Sequence, residues 1–252
     1  MKQVRSTIAP LATGLIVVGM WELLTHGTGS IPAWMLPAPS QIISHLIAKA
    51  PVFLGHTWET SKEFLGGYSG AVIFGIVYGL ILSSFRFLRE ATYPFVIVLG
   101  ALPAAAFAPL ANIWFGYGSL SKMVVAAVIA VFPIITSTVT GVRTIPRETV
   151  EAAMLDGASG FVMVWHILLP LAMPSIMIGL RIAWAGAIIG AITSELFGAV
   201  KGLGYVIQFG LRMSKTLDIY VAAMLLSTMS LVGYFVLKAV EGRITETMWV
   251  QR

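Results

Sequence analysis

The sequence predicts an all-α membrane protein with six transmembrane helices in one domain covering residues 1–252. Three observations carry this. Hydrophobic residues make up 58% of the chain and charged residues 11%, whereas a soluble domain presents about 25% charged residues to water. Six apolar stretches each approach the roughly 20 helical residues that cross a hydrocarbon core. Of 16 basic and 11 acidic residues, only Glu22, Arg181 and Glu195 fall inside those stretches.

The spans lie near 7–25, 64–85, 93–114, 123–141, 175–197 and 219–237. They must be helices, because lipid offers no partner to an exposed backbone and the segments lack the alternation of a barrel strand. Ahead of the first span, Lys2 and Arg5 give it the look of a secretory leader. The run continues into Trp21 and Glu22 without a small-residue cleavage site, so it reads as an uncleaved anchor. Lys2, Arg5, Arg86, Arg89, Arg143, Arg147, Lys238, Arg243 and Arg252 fall on the side of the N-terminus. Lys49, Lys62, Lys122, Lys201, Arg212 and Lys215 fall opposite, a bias that puts both termini and the segment 142–174 in the cytoplasm.

Residues 26–63 are then external, beginning with a Pro-rich turn over 31–39. Ser40 is the expected N-cap of a short amphipathic helix reaching about Ala50, with Ile42, Ile43, Leu46 and Ile47 on one face against the membrane interface. In the third span Pro103 and Pro109, with Ala106 between them, predict a kink or a partly unwound helix. Residues 103–112, including Asn112, are accordingly candidates to line a path, with a plain packing kink as the competing reading. Gly66 and Gly70, Gly75 and Gly79, and Gly186 and Gly190 have the small-residue spacing of close helix contacts. In the fifth span Arg181 and Glu195 are 14 residues apart on nearly one face, about 21 Å along the axis. Ionisable groups at that depth avoid lipid, so this face, with Thr193 and Ser194, either borders a translocation path or fixes helix ends.

The 33 residues of segment 142–174 are long for a connection and have structure of their own. Pro146 suits a first helical turn, Arg147 to Asp156 favours a helix, and Gly157 fits the left-handed position that closes it. Ser159 can cap a second helix whose body, Phe161 to Leu169, is almost wholly apolar, with Pro170 and Pro174 ending it before the fifth span. Such a surface outside the membrane wants a partner.

Other chemistries are poorly served. The chain has no cysteine for disulfides or thiolate clusters, and its 4 histidines show no metal-ligand spacing. Its net charge of +5 comes from scattered basic residues, not from a patch that would bind nucleic acid. Ser119 and Lys122 form an S-x-x-K pair without the companion motifs of a penicillin-recognising enzyme. No phosphate loop of the G-x-x-x-x-G-K-[ST] type occurs, so nucleotide chemistry has to come from another chain.

Glu151-Ala152-Ala153, three residues, Gly157, nine residues, Ile167, one residue, Leu169-Pro170 reproduce the EAA loop of ABC importer permeases. Residues 103–118, Leu36 to Ser40 and Gly202 to Gly204 are similar to the nitrate, taurine and aliphatic sulfonate branch of that family. The resemblance covers nearly the whole chain. It implies the type I importer permease fold, with the 142–174 loop as a cytoplasmic coupling helix between spans four and five. The residues implied to engage an ATPase are Glu151, Ala152, Ala153, Asp156, Gly157, Ala158, Ser159, Ile167, Leu169 and Pro170. It further implies a second permease chain as a homodimer, two ATP-binding subunits that hold ATP and Mg, and an external solute-binding protein. This chain would carry no cofactor and catalyse nothing itself, and would sit among lipid in the bacterial cytoplasmic membrane. The solute would be a small molecule such as nitrate, taurine, a sulfonate or a pyrimidine precursor of thiamine, with a small anion as the first choice. The competing class is a stand-alone secondary transporter or membrane enzyme, which would need ionisable groups at mid-membrane or a clustered acid-base set.

Overall fold

A computed structural model describes residues 2–27 and 31–249, with side chains described for 12–27 and 31–244. Lys2, Arg5 and Arg252, used in the charge bias, thus lie outside the described side chains. Among the described residues the chain is helical throughout, with no strand.

Helix α1 runs Lys2–Glu22 and ends in a π-helical turn, Leu23–Gly27. Helix α2, Pro39–Ala48, starts two residues earlier than expected because Pro39 supplies the fixed φ of a first helical position and Ala38 takes the N-cap. Ser40 instead binds Glu22, its hydroxyl 2.6 Å and its N–H 3.0 Å from the carboxylate, tying α2 to α1. Only half of the expected interfacial face lies outward. Ile43 and Ile47 are exposed, while Ile42 and Leu46 pack into the bundle.

Helix α3, Ala50–Ser84, is 35 residues long, so the second span begins well before residue 64 and carries Glu59, Lys62 and Glu63 within one continuous helix. The third span is not one rod. Helices α4, Arg86–Gly100, and α5, Ala104–Phe115, meet at 100°. Pro103 bars its predecessor from helical geometry and offers no N–H, so α4 stops short of it and α5 starts beyond it, whereas Pro109 is accommodated inside α5. Helix α6 is Ser119–Arg143 and α7 is Arg147–Leu155.

Pro170 and Pro174 do not end the second loop helix. Helix α8, Gly160–Val162, passes through a π-helical turn, Met163–Leu168, into α9, Leu169–Leu196. In the π turn the Leu169 N–H reaches back five residues to the Val164 carbonyl, and this wider turn makes room for a proline that lacks a donor. Helix α10 is Leu203–Arg212 and α11 is Thr216–Trp249.

Among the described residues four of these helices, counting 160–196 as one, are long and apolar enough to cross a membrane, and five if α4 and α5 form one broken span. That falls short of six. Helix α1 carries the expected first span, yet part of it lies outside the described side chains.

The core forms where α6 is sandwiched between α3 and α9, with Ala126, Ala130, Ile134, Ala183 and Ala187 buried. Lipid gives helices no hydrophobic reason to associate, so close packing must do it. Gly67, Gly75 and Gly79 line the α3 face against α6, and Gly141, Gly179 and Gly190 bring α6 and α9 together. Gly70, expected in a contact, faces open space, and Gly67 is the residue that meets the Met123 carbonyl.

Candidate functional site

The expected coupling loop folds as a helical hairpin. Glu151, Ala152 and Ala153 lie on α7, and the Ala158 N–H bonds back to the Ala153 carbonyl at 2.9 Å across the turn. Gly157 occupies φ +89°, a conformation that costs a residue with a Cβ about 1–2 kcal/mol. Asp156 is the C-cap of α7, and Ser159 stands at the N-cap position of α8 without a side-chain capping bond. Ile167 falls in the π turn, and Leu169 and Pro170 open α9.

The hairpin is as apolar outside as the sequence suggested. Leu155 is 90% exposed and Phe161 73%, with Met154, Val162 and Trp165 also exposed. Behind the hairpin, an apolar groove of about 580 Å³ opens between α3 and the loop, lined by Leu80, Phe85, Val150, Met154 and Trp165 among others. Glu151 and Asp156 are exposed on the same knob. The arrangement can offer a macromolecule an apolar surface flanked by the exposed carboxylates of Glu148, Glu151 and Asp156.

The candidate path residues do not converge on one place. Pro103 and Ala106 are exposed at the start of α5, and Pro109 is half-buried. Asn112 is 3% exposed at the other end of α5, its Nδ2 3.5 Å from the Phe197 carbonyl, and so sits beside the segment that follows α9. On α9, Ser194 is buried, while Thr193 returns its hydroxyl to the Ile189 carbonyl at 2.7 Å. Arg181, in the other half of α9, is bound by Glu241 of α11 at 2.8 Å.

Glu195 belongs to a polar hub that the residue pattern alone did not reveal. It is 0% exposed, accepts the Thr60 hydroxyl at 2.6 Å and accepts the Gly204 N–H at 2.5 Å. The Thr60 oxygen in turn accepts the Leu203 N–H at 2.8 Å, and His56 Nδ1 accepts the Gly202 N–H at 3.1 Å. Glu63, 1% exposed, adjoins the hub with Lys122 Nζ 3.9 Å away, and that ammonium also donates to the Tyr117 and Gly118 carbonyls. Glu59 accepts the Ser119 hydroxyl at 3.2 Å. Among the described residues no group of His, Asp and Glu is arranged to hold a metal ion.

Several membrane-length helices, a buried polar hub at one end of α9 and a greasy hairpin at the other make the described residues those of a multi-pass membrane protein. The chain belongs to the family described as the binding-protein-dependent transport system inner membrane component, whose model matches residues 71–246. It is 32% identical over 229 residues to a probable ABC transporter permease of Haemophilus influenzae, covering 90% of this chain and 93% of the relative. It is 29% identical to the formylaminopyrimidine transport permease of Halalkalibacterium halodurans, over 96% of both chains. With the taurine transport system permease of Escherichia coli it shares 28% identity over 97% of this chain and 90% of that one. The fold matches a chain of the MetNI methionine ABC transporter in an inward-facing conformation with a TM-score of 0.65 at 19% identity, covering 77% of this chain and 98% of that one. Members of this family are non-catalytic components of the inner membrane, and membership implies an ATPase and a substrate-binding protein as partners.

Proposed function

We propose that two copies of this chain form the translocation path of an ATP-driven importer for a small solute, fed by an external binding protein and powered by two ATPase subunits. ATP binding closes the ATPase pair, draws the two α7 hairpins together and turns the cavity between the permeases from one side of the membrane to the other. The observation that carries this reading is the knob. A helical hairpin turning at a left-handed glycine exposes Leu155 and Phe161 alongside Glu151 and Asp156, surface that makes sense only beneath a partner. On this reading Glu151, Ala152, Ala153, Asp156, Gly157, Ala158 and Ser159 meet the ATPase, and Ile167, Leu169 and Pro170 fix the hairpin to α9. The path runs beside Pro103, Ala106, Pro109 and Asn112 and along α9 past Arg181, Thr193, Ser194 and Glu195. Both termini face the cytoplasm. The solute is a small anion of the taurine, sulfonate or nitrate kind, a choice supported by the residues of the 103–118 stretch and by the taurine relative.

The test is substitution in the knob. Gly157→Pro cannot adopt the observed φ, and Glu151→Lys reverses an exposed charge. Both variants are expected to insert normally, to co-purify poorly with the ATPase and to lose uptake in proteoliposomes. Wild-type uptake in both would refute the coupling role.

A further inference from the structure

We infer that α10 is a hinged plug over the end of the bundle remote from the coupling hairpin, and that Glu195 is the positioning residue that latches it. The inference rests on the permease reading, because a plug has meaning only over a path. Helix α10 is ten residues long and follows α9 through the short segment 197–202. Its inner face buries Leu203, Val206 and Gly210, while Leu211 is 65% exposed. Left-handed backbone bounds it on both sides, at Gly202 (φ +113°) and at Ser214 (φ +53°), the one non-glycine residue among those described with positive φ.

What holds the plug down is concentrated at its first turn. The amides of Gly202, Leu203 and Gly204 are free ends of a helix and carry partial positive charge. They are received by His56, Thr60 and Glu195 respectively. Any side chain at Gly202 or Gly204 would collide with the Glu195 carboxyl group, so both glycines are needed for this approach. That buried group has Thr60, the helix end and the Glu63 carboxyl around it, while Lys122 is turned to Glu63 and to backbone carbonyls. If α10 lifted away, Glu195 would lose the Gly204 N–H and be left inside the bundle with Thr60 and the neighbouring Glu63 carboxyl. A buried polar group stripped of its partners is strongly disfavoured, so the latch has two states and few intermediates. Since α9 joins Glu195 to the coupling hairpin through unbroken helix, movement of the hairpin reaches the latch directly.

The complete importer, assembled with its ATPase in membrane vesicles, provides the test. The chain has no cysteine, so Val206→Cys places a single thiol on the buried face of α10, where the native side chain is 8% exposed. Reaction with a membrane-impermeant maleimide should be slow without nucleotide and rise about ten-fold when ATP and vanadate trap the closed ATPase. Thr60→Ala or Glu195→Gln should raise the nucleotide-free rate by a similar factor, and Thr60→Ser, which keeps the hydroxyl, should restore it. Labelling of Val206→Cys that ignores both nucleotide and the hub variants would overturn the plug. Failure of the chain to co-purify with the ATPase at all would instead bring down the permease reading.

Discussion

Arg181 places a full positive charge within a membrane-length helix, and such a charge costs about 2.5–3.5 kcal/mol near a helix centre unless it is met. Glu241 meets it at 2.8 Å across the α9–α11 contact, with both side chains largely shielded at 21% and 25% exposure. Glu241→Ala should therefore lower the melting temperature of the detergent-solubilised protein more than Arg181→Met, because the first strands a cation and the second removes it. Exchanging the pair, Arg181→Glu with Glu241→Arg, should recover most of the loss; an exchange as unstable as Glu241→Ala would mean that the pair contributes nothing. The sequence showed that Arg181 needed a partner but not which one. Glu241 lies four residues beyond the expected end of the sixth span, 219–237, and nothing in its local pattern marks it. The same boundary effect hid Glu63, one residue outside the expected second span although it is 1% exposed within α3.

Packing between elements depends on which glycine faces a neighbour, and spacing by four reports a face without saying which one. Gly75 and Gly79 were legible, since a Cβ at either would press on Ile134 or Thr138 of α6. Gly70 was not, because it points away from α6 and Gly67 takes the contact. Gly75→Leu should cost about 1–3 kcal/mol through overpacking, whereas Gly70→Leu, into open space, should change stability by about 0.5 kcal/mol or less. Thermal unfolding in detergent followed by tryptophan fluorescence would separate the two; equal effects would contradict the observed register. The prolines show a further limit. Pro103, Pro170 and Pro174 are all helix-breaking in sequence, yet only the first accompanies a break, a 100° one, because a π turn ahead of Pro170 lets the backbone carry on. That compensation depends on how the wider turn packs, which propensity does not report.

For the whole molecule, composition and periodicity were enough to give an all-helical membrane protein, and the helical hairpin that follows α6 was readable because all its residues lie within one short stretch. The hub was not, since His56, Thr60, Glu195 and the first turn of α10 come from three separated parts of the chain. Purified alone into liposomes, the chain is expected to hydrolyse no ATP and to move no solute down or up a gradient. Uptake should begin only when the ATPase and binding protein are both supplied. Solute flux through the chain by itself would favour the secondary-transporter reading instead.

From Gly160 to Leu196 the backbone runs 37 residues without a break, about 55 Å end to end. A stiff strut of that length has no need of a relay of side chains. A small tilt imposed on its foot sweeps the tip sideways in proportion, so the polypeptide can act as a lever whose gain is set by where α6 grips it.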